Sequence, residues 1–256
     1  MKKLSTLLIA LFFTAGMAFA QSNDATLEQD GSSLEATITQ AGNLNFASQT
    51  QEGFSAEVSI DQQGTNNSAT QVQTNRGLSQ YTNAGLATIK QVGSDNSASQ
   101  TQNREYHTAE IDQNGFGNFS EQDQTGWSNS ATATITGDEN YTGQFQLGGK
   151  SLVADIDLTG NNNSVTQTQD SEYADAVVVI SGSTNTASQD QYGSASHGNR
   201  NSLTLNVDGD SNSSVQYQLS DGVGNNVGVI SQFGDGNSAL QSQIGNGNTS
   251  TITQSN

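Results

Sequence analysis

The chain has 256 residues and a formal net charge of −18, with 25 acidic side chains against seven basic ones, and it contains neither Cys nor Pro. This charge argues against nucleic acid or anionic lipid as a partner, because both are bound through dense Lys and Arg. Without disulfides, stability depends on hydrogen bonding and packing, and the absence of Pro fits a backbone committed to sheet pairing.

Residues 1–20 have the pattern of a secretory signal peptide. Lys2 and Lys3 precede an apolar run, and Ala18 and Ala20 supply the small residues of a cleavage site. Removal of this segment leaves residues 21–256, with 25 acidic and five basic side chains, which we predict to form a single repeat domain. We therefore expect an exported protein, and no later segment is apolar enough to span a bilayer.

From Gln40 onward, a spacing of Gln, four residues, Asn, five residues, Gln returns about every 22 residues. Such a period is typical of solenoids. We place the repeats near residues 25–52, 53–74, 75–103, 104–125, 126–147, 148–170, 171–192, 193–219 and 220–256. The six full copies of the spacing are Gln40, Asn45, Gln51; Gln62, Asn67, Gln73; Gln91, Asn96, Gln102; Gln113, Asn118, Gln124; Gln232, Asn237, Gln243; and Gln243, Asn248, Gln254.

Side chains alternate within each repeat as they do along β-strands. Ala36, Ile38 and Gln40 share one face of a first strand, and Ala47 and Gln49 share one face of a second strand after a turn. The outward faces are polar and variable, whereas the inward faces are conserved from repeat to repeat. We predict an all-β fold, a β-solenoid (β-helix) of about nine strand-turn-strand repeats with two strands per turn.

The inward amides are predicted to stack along the solenoid axis. A Gln lies four and six positions after each Asn from Asn45 to Asn237. Stacked amides can donate and accept at the ~4.8 Å spacing of strands, and a buried amide without a partner costs roughly 1–3 kcal/mol. We therefore predict ladders, continued as cross-β structure on assembly, that add Gln49, Gln71, Gln100, Gln122 and Gln241 to the Gln and Asn residues of the six copies.

Two kinds of corner join the strands. The Asn corner has a fixed length, with Gly first and Asn last, and both residue types tolerate positive φ; the predicted turn residues are Gly42, Gly64, Gly93, Gly115, Gly137, Gly160, Gly182, Gly209, Gly234 and Gly245. The opposite, variable corner lengthens in places, as solenoid insertions do. It collects bulky and basic residues: Arg76, Tyr81, Arg104, Tyr106, His107, Trp127, Tyr173, Tyr192 and Arg200.

The central repeats depart from the motif. Ile135, Leu158, Ile180 and Val207 stand where the first Gln is expected. We expect aliphatic contact to hold the centre while the ladders hold both ends, so replacing Gln49 or Gln51 should slow assembly more than replacing Gln144.

The acidic residues of the turns have two interpretations. Asp95, Asp138, Asp208, Asp210 and Asp235 fit ordinary turn chemistry and solubility. They also fit a role as gatekeepers, in which stacked like charges slow assembly.

Other solenoid functions fit less well. The only histidines, His107 and His197, occupy variable corners without a catalytic constellation, and the carboxylates are dispersed, so we predict no enzyme activity, no cofactor and no metal site. The repeated Gly-Gly-x-Gly-x-Asp nonapeptides of calcium-binding solenoids are absent. The outward columns mix Thr with Glu, Asp, Lys90 and Phe, unlike an ice-binding array.

The Gln and Asn spacing resembles that of the curlin family, the repeat subunits of bacterial curli amyloid fibres. The family's opening Ser is not matched, since Leu34, Ala56, Gly85, His107 and Asn226 stand at that position. The resemblance implies a subunit secreted through an outer-membrane curli channel that folds while it joins an extracellular fibre at the cell surface of an outer-membrane-bearing bacterium. Copies of the chain itself and a nucleator subunit are the implied partners, with host or matrix proteins and polysaccharide as further candidates.

We therefore predict a structural subunit of biofilm fibres that supports adhesion and aggregation. The alternatives are a monomeric or cell-attached β-solenoid adhesin, which would use the variable corners, and a minor or nucleating curli subunit. The segment from Asn246 to Asn256 carries no charge, which favours the major, polymerising role over a nucleator with a basic final repeat.

Overall fold

The structure is a computed structural model that describes residues 22–74, 85–194, 200–222 and 225–256, so the predicted signal peptide lies outside the described residues. Within these ranges the regular elements are twenty β-strands. They are β1 (Asp24–Ser32), β2 (Glu35–Asn43), β3 (Phe46–Phe54), β4 (Glu57–Thr65), β5 (Ser68–Thr74), β6 (Leu86–Ser94), β7 (Ser97–Glu105), β8 (Thr108–Phe116), β9 (Phe119–Trp127), β10 (Ser130–Thr136), β11 (Tyr141–Lys150), β12 (Val153–Thr159), β13 (Ser164–Glu172), β14 (Ala174–Ser181), β15 (Thr186–Ser194), β16 (Asn201–Asp208), β17 (Ser213–Asp221), β18 (Val227–Phe233), β19 (Ser238–Ile244) and β20 (Thr249–Ser255).

The strands coil into a solenoid with two strands per turn. The odd-numbered strands form one ten-stranded sheet, sheet A, and the even-numbered strands form a second, sheet B. Each strand pairs in parallel with the strand two positions further along the chain, as β1 does with β3 and β2 with β4. The predicted β-solenoid is confirmed.

The solenoid has ten turns rather than about nine. The predicted first repeat, 25–52, contains most of three strands, β1 to β3, and the predicted last repeat, 220–256, contains β18 to β20. The two termini therefore each form a complete turn of their own, β1 with β2 and β19 with β20. The sequence count merged them with their neighbours, because the first turn lacks a full copy of the spacing and the last copy shares Gln243 with the copy before it.

One thin apolar cluster runs between the sheets. Ile60, Ile89 and Ile111 of sheet B and Ala47 and Ala69 of sheet A belong to it and are fully buried. Removing each isoleucine from water contributes about 2 kcal/mol, but the small Ala opposite leaves the core only two side chains deep. Val58, Ala87 and Ala109 of sheet B form a second, smaller apolar cluster. Most of the other inward positions of sheet A are amides, which makes hydrogen bonding the second source of cohesion.

The Asn corner bends differently from the prediction. All ten predicted turn glycines have positive φ, and a Cβ at Gly42 would lie 1.9 Å from the carbonyl oxygen of Gly64 in the next turn. The second positive φ belongs to the residue before the Asn, as at Leu44 with φ 58°, and not to Asn45 itself. The expectation that Asn supplies positive φ is wrong. Asn45 stands at this position for its buried side chain, which makes hydrogen bonds to other turns, and not for its backbone angle.

Across the described ranges, no helix has the length and apolar character needed to cross a membrane.

Candidate functional site

Two uninterrupted columns of Gln run along the inward face of sheet A. In the Gln49 column, Nε2 of Gln49 donates to Oε1 of Gln71 at 2.9 Å, and in the Gln51 column, Nε2 of Gln51 donates to Oε1 of Gln73 at 3.2 Å. The Gln49 column comprises Gln49, Gln71, Gln100, Gln122, Gln144, Gln167, Gln189, Gln216 and Gln241, and the Gln51 column comprises Gln29, Gln51, Gln73, Gln102, Gln124, Gln146, Gln169, Gln191, Gln218 and Gln243. The predicted ladders are present.

Most amides of these columns have a second role, which the sequence did not reveal. Gln49 donates its other hydrogen to the backbone carbonyl of Thr37 at 3.0 Å, in the opposite sheet. The same bond recurs in later turns, for example from Gln144 to Thr132 at 2.8 Å. The amides therefore tie sheet A to sheet B as well as turn to turn, which explains why Gln is required where a shorter Asn would not reach.

The third column, on sheet B, is broken in the centre as predicted. This Gln40 column runs through Gln40, Gln62, Gln91 and Gln113, continues as Ile135, Leu158, Ile180 and Val207, and resumes as Gln232 and Gln254. The four aliphatic side chains are buried. Gln144, however, belongs to the unbroken Gln49 column, so the physical reason given for a weaker effect at Gln144 does not hold.

A hydroxyl compensates where the Gln40 column resumes. Oε1 of Gln232 lies above Val207, which has no donor to offer. The hydroxyl of Ser214 donates to this oxygen instead, and both residues are buried. Most other turns have Ala at the Ser214 position, so this Ser repairs the interruption.

The asparagines of the Asn corner form a column of their own. Oδ1 of Asn45 accepts the backbone N–H of Asn67 at 3.0 Å and its Nδ2–H at 3.1 Å, while Nδ2 of Asn45 donates to the carbonyl of Gly64 at 3.1 Å. Equivalent bonds connect Asn67 with Asn96 and Asn96 with Asn118. Each Asn therefore fastens the bend of its own turn to the bend of the next.

His107 substitutes for Asn at the variable corner. Its Nε2–H donates to the carbonyl of Asn103 at 3.0 Å, and its Nδ1 accepts the backbone N–H of Asn129 at 3.3 Å. One turn later Asn129 makes the same pair of bonds, to the carbonyl of Thr125 at 3.1 Å and from the N–H of Leu152 at 3.0 Å. Burial lowers the pKa of His107, which keeps the ring neutral as these bonds require.

The other bulky residues of the variable corner lie outside the amide columns. Trp127 is about half exposed, and its ring centroid lies 5.8 Å from that of Tyr106. Arg200 forms an ion pair with Asp175 at 2.5 Å. Arg76, Tyr81 and His197 fall outside the described residues. Within the described ranges, no three His, Asp or Glu side chains converge to hold a metal ion.

Several acidic turn residues accept backbone hydrogen bonds from the preceding turn. Oδ1 of Asp138 accepts the N–H of Phe116 at 2.9 Å, and Oδ1 of Asp235 accepts the N–H of Asp210 at 2.8 Å. These bonds support the turn-chemistry interpretation of the acidic residues. Asp210 and Asp235 also occupy adjacent turns, which is the arrangement that gatekeeping would need.

The two ends of the solenoid expose amides with unused hydrogen-bonding capacity. At the N-terminal end, Gln29 and Gln40 donate to the second turn, but their Oε1 atoms accept no hydrogen bond from another described residue. At the C-terminal end, Gln243 and Gln254 each donate one hydrogen to a backbone carbonyl and have no amide above them. One end therefore offers acceptors and the other offers donors.

The ends also differ in charge. The first turn carries Asp24, Glu28, Asp30 and Glu35, all exposed on the outward faces of β1 and β2. The last turn, from residue 238 to 256, contains no charged side chain. The rim of one end is therefore acidic and that of the other is neutral.

Comparison with protein families finds a known repeat in the segments at both ends of the solenoid. The model of the curlin associated repeat matches residues 20–53 and 225–255, which include the Gln40, Asn45, Gln51 copy and the Gln232, Asn237, Gln243 copy. A search of curated proteins gave no match. The resemblance indicated by the Gln and Asn spacing is confirmed.

Proposed function

We propose that this chain, whose terminal turns match the curlin associated repeat, is a structural subunit of a curli-type extracellular fibre, assembled head to tail from copies of itself. The family and the β-solenoid fold are structural rather than catalytic. The observation that carries the proposal is the match between the two open ends. Within the described residues neither end is covered by a capping element, and soluble solenoids usually have one.

The inward side chains of the two ends continue each other when one copy follows another. In such a stack, Gln243 meets Gln29 of the next copy, Gln254 meets Gln40, and Ile252 meets Ile38, which repeats the register of the interior turns. The donors of one end then reach the acceptors of the other. The strand edges add backbone hydrogen bonds, as in cross-β assemblies.

The corners also fit. Oδ1 of Asn237 would accept the N–H of Asn23 of the next copy, as Oδ1 of Asn23 accepts the N–H of Asn45 within the chain. At the variable corner, Asn248 would meet Leu34, and the same pairing exists internally between Asn129 and Leu152 at 3.0 Å. The junction therefore reuses hydrogen bonds that the chain already makes.

Charge disfavours the joining of two N-terminal ends. Stacking two N-terminal ends would oppose the exposed carboxylates Asp24, Glu28, Asp30 and Glu35, whereas a head-to-tail junction places them beside uncharged residues such as Ser238 and Ser242. Like charges in direct cross-strand contact are destabilising. Together with the pairing of a donor end with an acceptor end, this favours growth in a single polar direction.

The wider biological role belongs to the same proposal. The predicted signal peptide, the family and the acidic, disulfide-free composition support export, passage through an outer-membrane curli channel, and deposition as biofilm fibres that promote adhesion and aggregation. A nucleator subunit would present the first template. The uncharged last turn supports the major role over the nucleating one.

Seeded assembly tests the proposal. Freshly desalted protein lacking residues 1–20 should show a lag in thioflavin fluorescence that preformed fibres abolish. Gln254→Ala should slow seeded elongation, because it removes a junction donor, whereas Thr253→Ala, on the outward face of the same strand, should not. A flat trace from a folded, β-rich monomer would contradict the proposal and favour a monomeric or cell-attached adhesin.

A further inference from the structure

The Gln49 column ends differently from the other two Gln columns. In the register of β1 with β3, the residue beneath Gln49 is Leu27, whereas Gln29 lies beneath Gln51. Leu27 cannot donate a hydrogen bond, and Oε1 of Gln49 is buried without a partner. The column therefore stops one turn before the N-terminal end.

The same column is closed at the C-terminal end. Nε2 of Gln241 donates to the carbonyl of Val229 at 3.1 Å, as its counterparts do in other turns. Its other hydrogen goes to Ser250, whose carbonyl oxygen and Oγ lie 3.0 and 3.1 Å away. Ser250 thus takes the hydrogen that an amide of a following turn would accept.

Both of these features lie at the junction between copies. In a head-to-tail stack, Leu27 of the next copy lies over Gln241, and a leucine offers no acceptor to an amide. The neighbouring columns continue through Gln29 and Gln40, so among the inward columns of Gln this one alone fails to cross the junction. Every junction between copies then lacks an amide bond that each junction between turns 2 and 10 has.

We propose that Leu27 limits the strength of the junction between copies, because it leaves that junction without the amide bond that the Gln49 column forms between turns 2 and 10. This inference rests on the proposed head-to-tail assembly. Its partner is a second copy of this chain, presenting Gln241 and Ser250. A weaker junction keeps a larger pool of free subunit in equilibrium with the fibre.

The test is the substitution Leu27→Gln. The quantity to measure is the concentration of soluble protein that remains at equilibrium with fibres. The new amide would donate to Oε1 of Gln49 and accept from Gln241 of the preceding copy. We expect the soluble concentration to fall about tenfold, since one buried hydrogen bond gained across the junction corresponds to about one decade in an equilibrium constant. Thr26→Gln, which adds the same side chain to the exposed face of β1, should leave it unchanged.

A second substitution separates the junction from the stability of the subunit. Ser250→Ala removes the hydroxyl and leaves the backbone carbonyl as the one remaining competitor at this residue for the Gln241 hydrogen, so Leu27→Gln should lower the soluble concentration further in the Ser250→Ala background than alone. The denaturation midpoint of unassembled subunit should show no such coupling, because Leu27 and Ser250 lie at opposite ends of one chain.

The outcomes are distinguishable. Fibres with equal soluble concentrations for wild type and Leu27→Gln would overturn the role of Leu27 and leave the proposed function standing. If Leu27→Gln lowered the soluble concentration by the same factor with and without Ser250→Ala, the role of Leu27 at the junction would also be overturned. The effect would then belong to repair of Gln49 within the subunit. Failure of every variant, wild type included, to form fibres would overturn the proposed function and this inference with it.

Discussion

Replacing Gln144 by Ala should destabilise the subunit more than replacing Gln49 by Ala. Gln144 donates to Oε1 of Gln167 at 2.9 Å and accepts from Nε2 of Gln122 at 2.7 Å. Its loss leaves both partners with a buried, unpaired atom. Gln49 donates to Oε1 of Gln71 at 2.9 Å, but its own oxygen already has no partner. Loss of the Gln49 side chain therefore leaves Oε1 of Gln71 unpaired, but it also removes the unpaired oxygen of Gln49 itself.

The difference can be estimated from the cost of unpaired groups. At roughly 2 kcal/mol for each buried orphan, Gln144→Ala costs about 4 kcal/mol, and Gln49→Ala costs about 2 kcal/mol or less. Both substitutions remove the same number of atoms, so the loss of packing largely cancels in the comparison. A gap of about 2 kcal/mol between the two variants is the expected result.

Guanidinium denaturation of unassembled protein, followed by circular dichroism, measures this gap. Gln63→Ala is the matched control, because Gln63 is exposed and follows the buried Gln62; it should change the free energy of unfolding by less than about 0.5 kcal/mol. Equal costs at Gln144 and Gln49 would refute the reasoning from unpaired atoms. A cost at Gln144 no larger than that at Gln63 would refute the ladder as a source of stability.

Three further substitutions test the corners and the repaired column. Burial lowers the pKa of His107 below its usual 6.5, so the unfolded chain binds a proton at a higher pH than the folded chain does. The free energy of unfolding should therefore fall as the pH drops below about 6.5, by at most ~1.4 kcal/mol per pH unit. His107→Asn should remove this dependence in denaturation curves at pH 7.5 and 5. Gly137→Ala places a Cβ 2.0 Å from a carbonyl oxygen and should lower the thermal midpoint sharply, whereas Gly236→Ala, also at positive φ but in open space, should cost only about 1–2 kcal/mol. Ser214→Ala strips a buried amide oxygen of its donor and should cost about 1–3 kcal/mol, against no change for the exposed Ser213→Ala; an unchanged Ser214→Ala midpoint would contradict the repair.

The repeat spacing was sufficient to predict the fold class and the faces of the strands. The recurrence of Gln and Gly at constant distances fixes which residues stack, because parallel in-register turns bring identical positions together. That is why the buried columns through Gln51 and Gln62 and the bends at Gly42 and Gly64 lie where they were expected. The same spacing predicted the aliphatic interruption of the Gln40 column.

The features that sequence reasoning missed depend on contacts between different positions of the repeat. His107 looked like a surface residue of a variable corner, and only the column containing Asn129 shows that an imidazole can reproduce the two bonds of an amide. The bond from Gln49 to the carbonyl of Thr37 depends on how closely the two sheets approach. The count of turns failed because Leu27 and Leu34 interrupt the motif in the first turn, although the backbone there continues the same register.

The amide columns give the molecule an electrical direction. In the Gln49 and Gln51 columns every side-chain amide points its NH₂ group toward the C-terminal end, as from Gln71 to Gln100, so their small dipoles add along the axis and polarise one another. The shorter amide chain of the Asn corner, which runs in the opposite sense from Asn67 to Asn45, offsets only part of this sum. A head-to-tail fibre would accumulate the moment of every copy. Such fibres should orient in an external electric field and lie most favourably beside neighbours that run in the opposite direction.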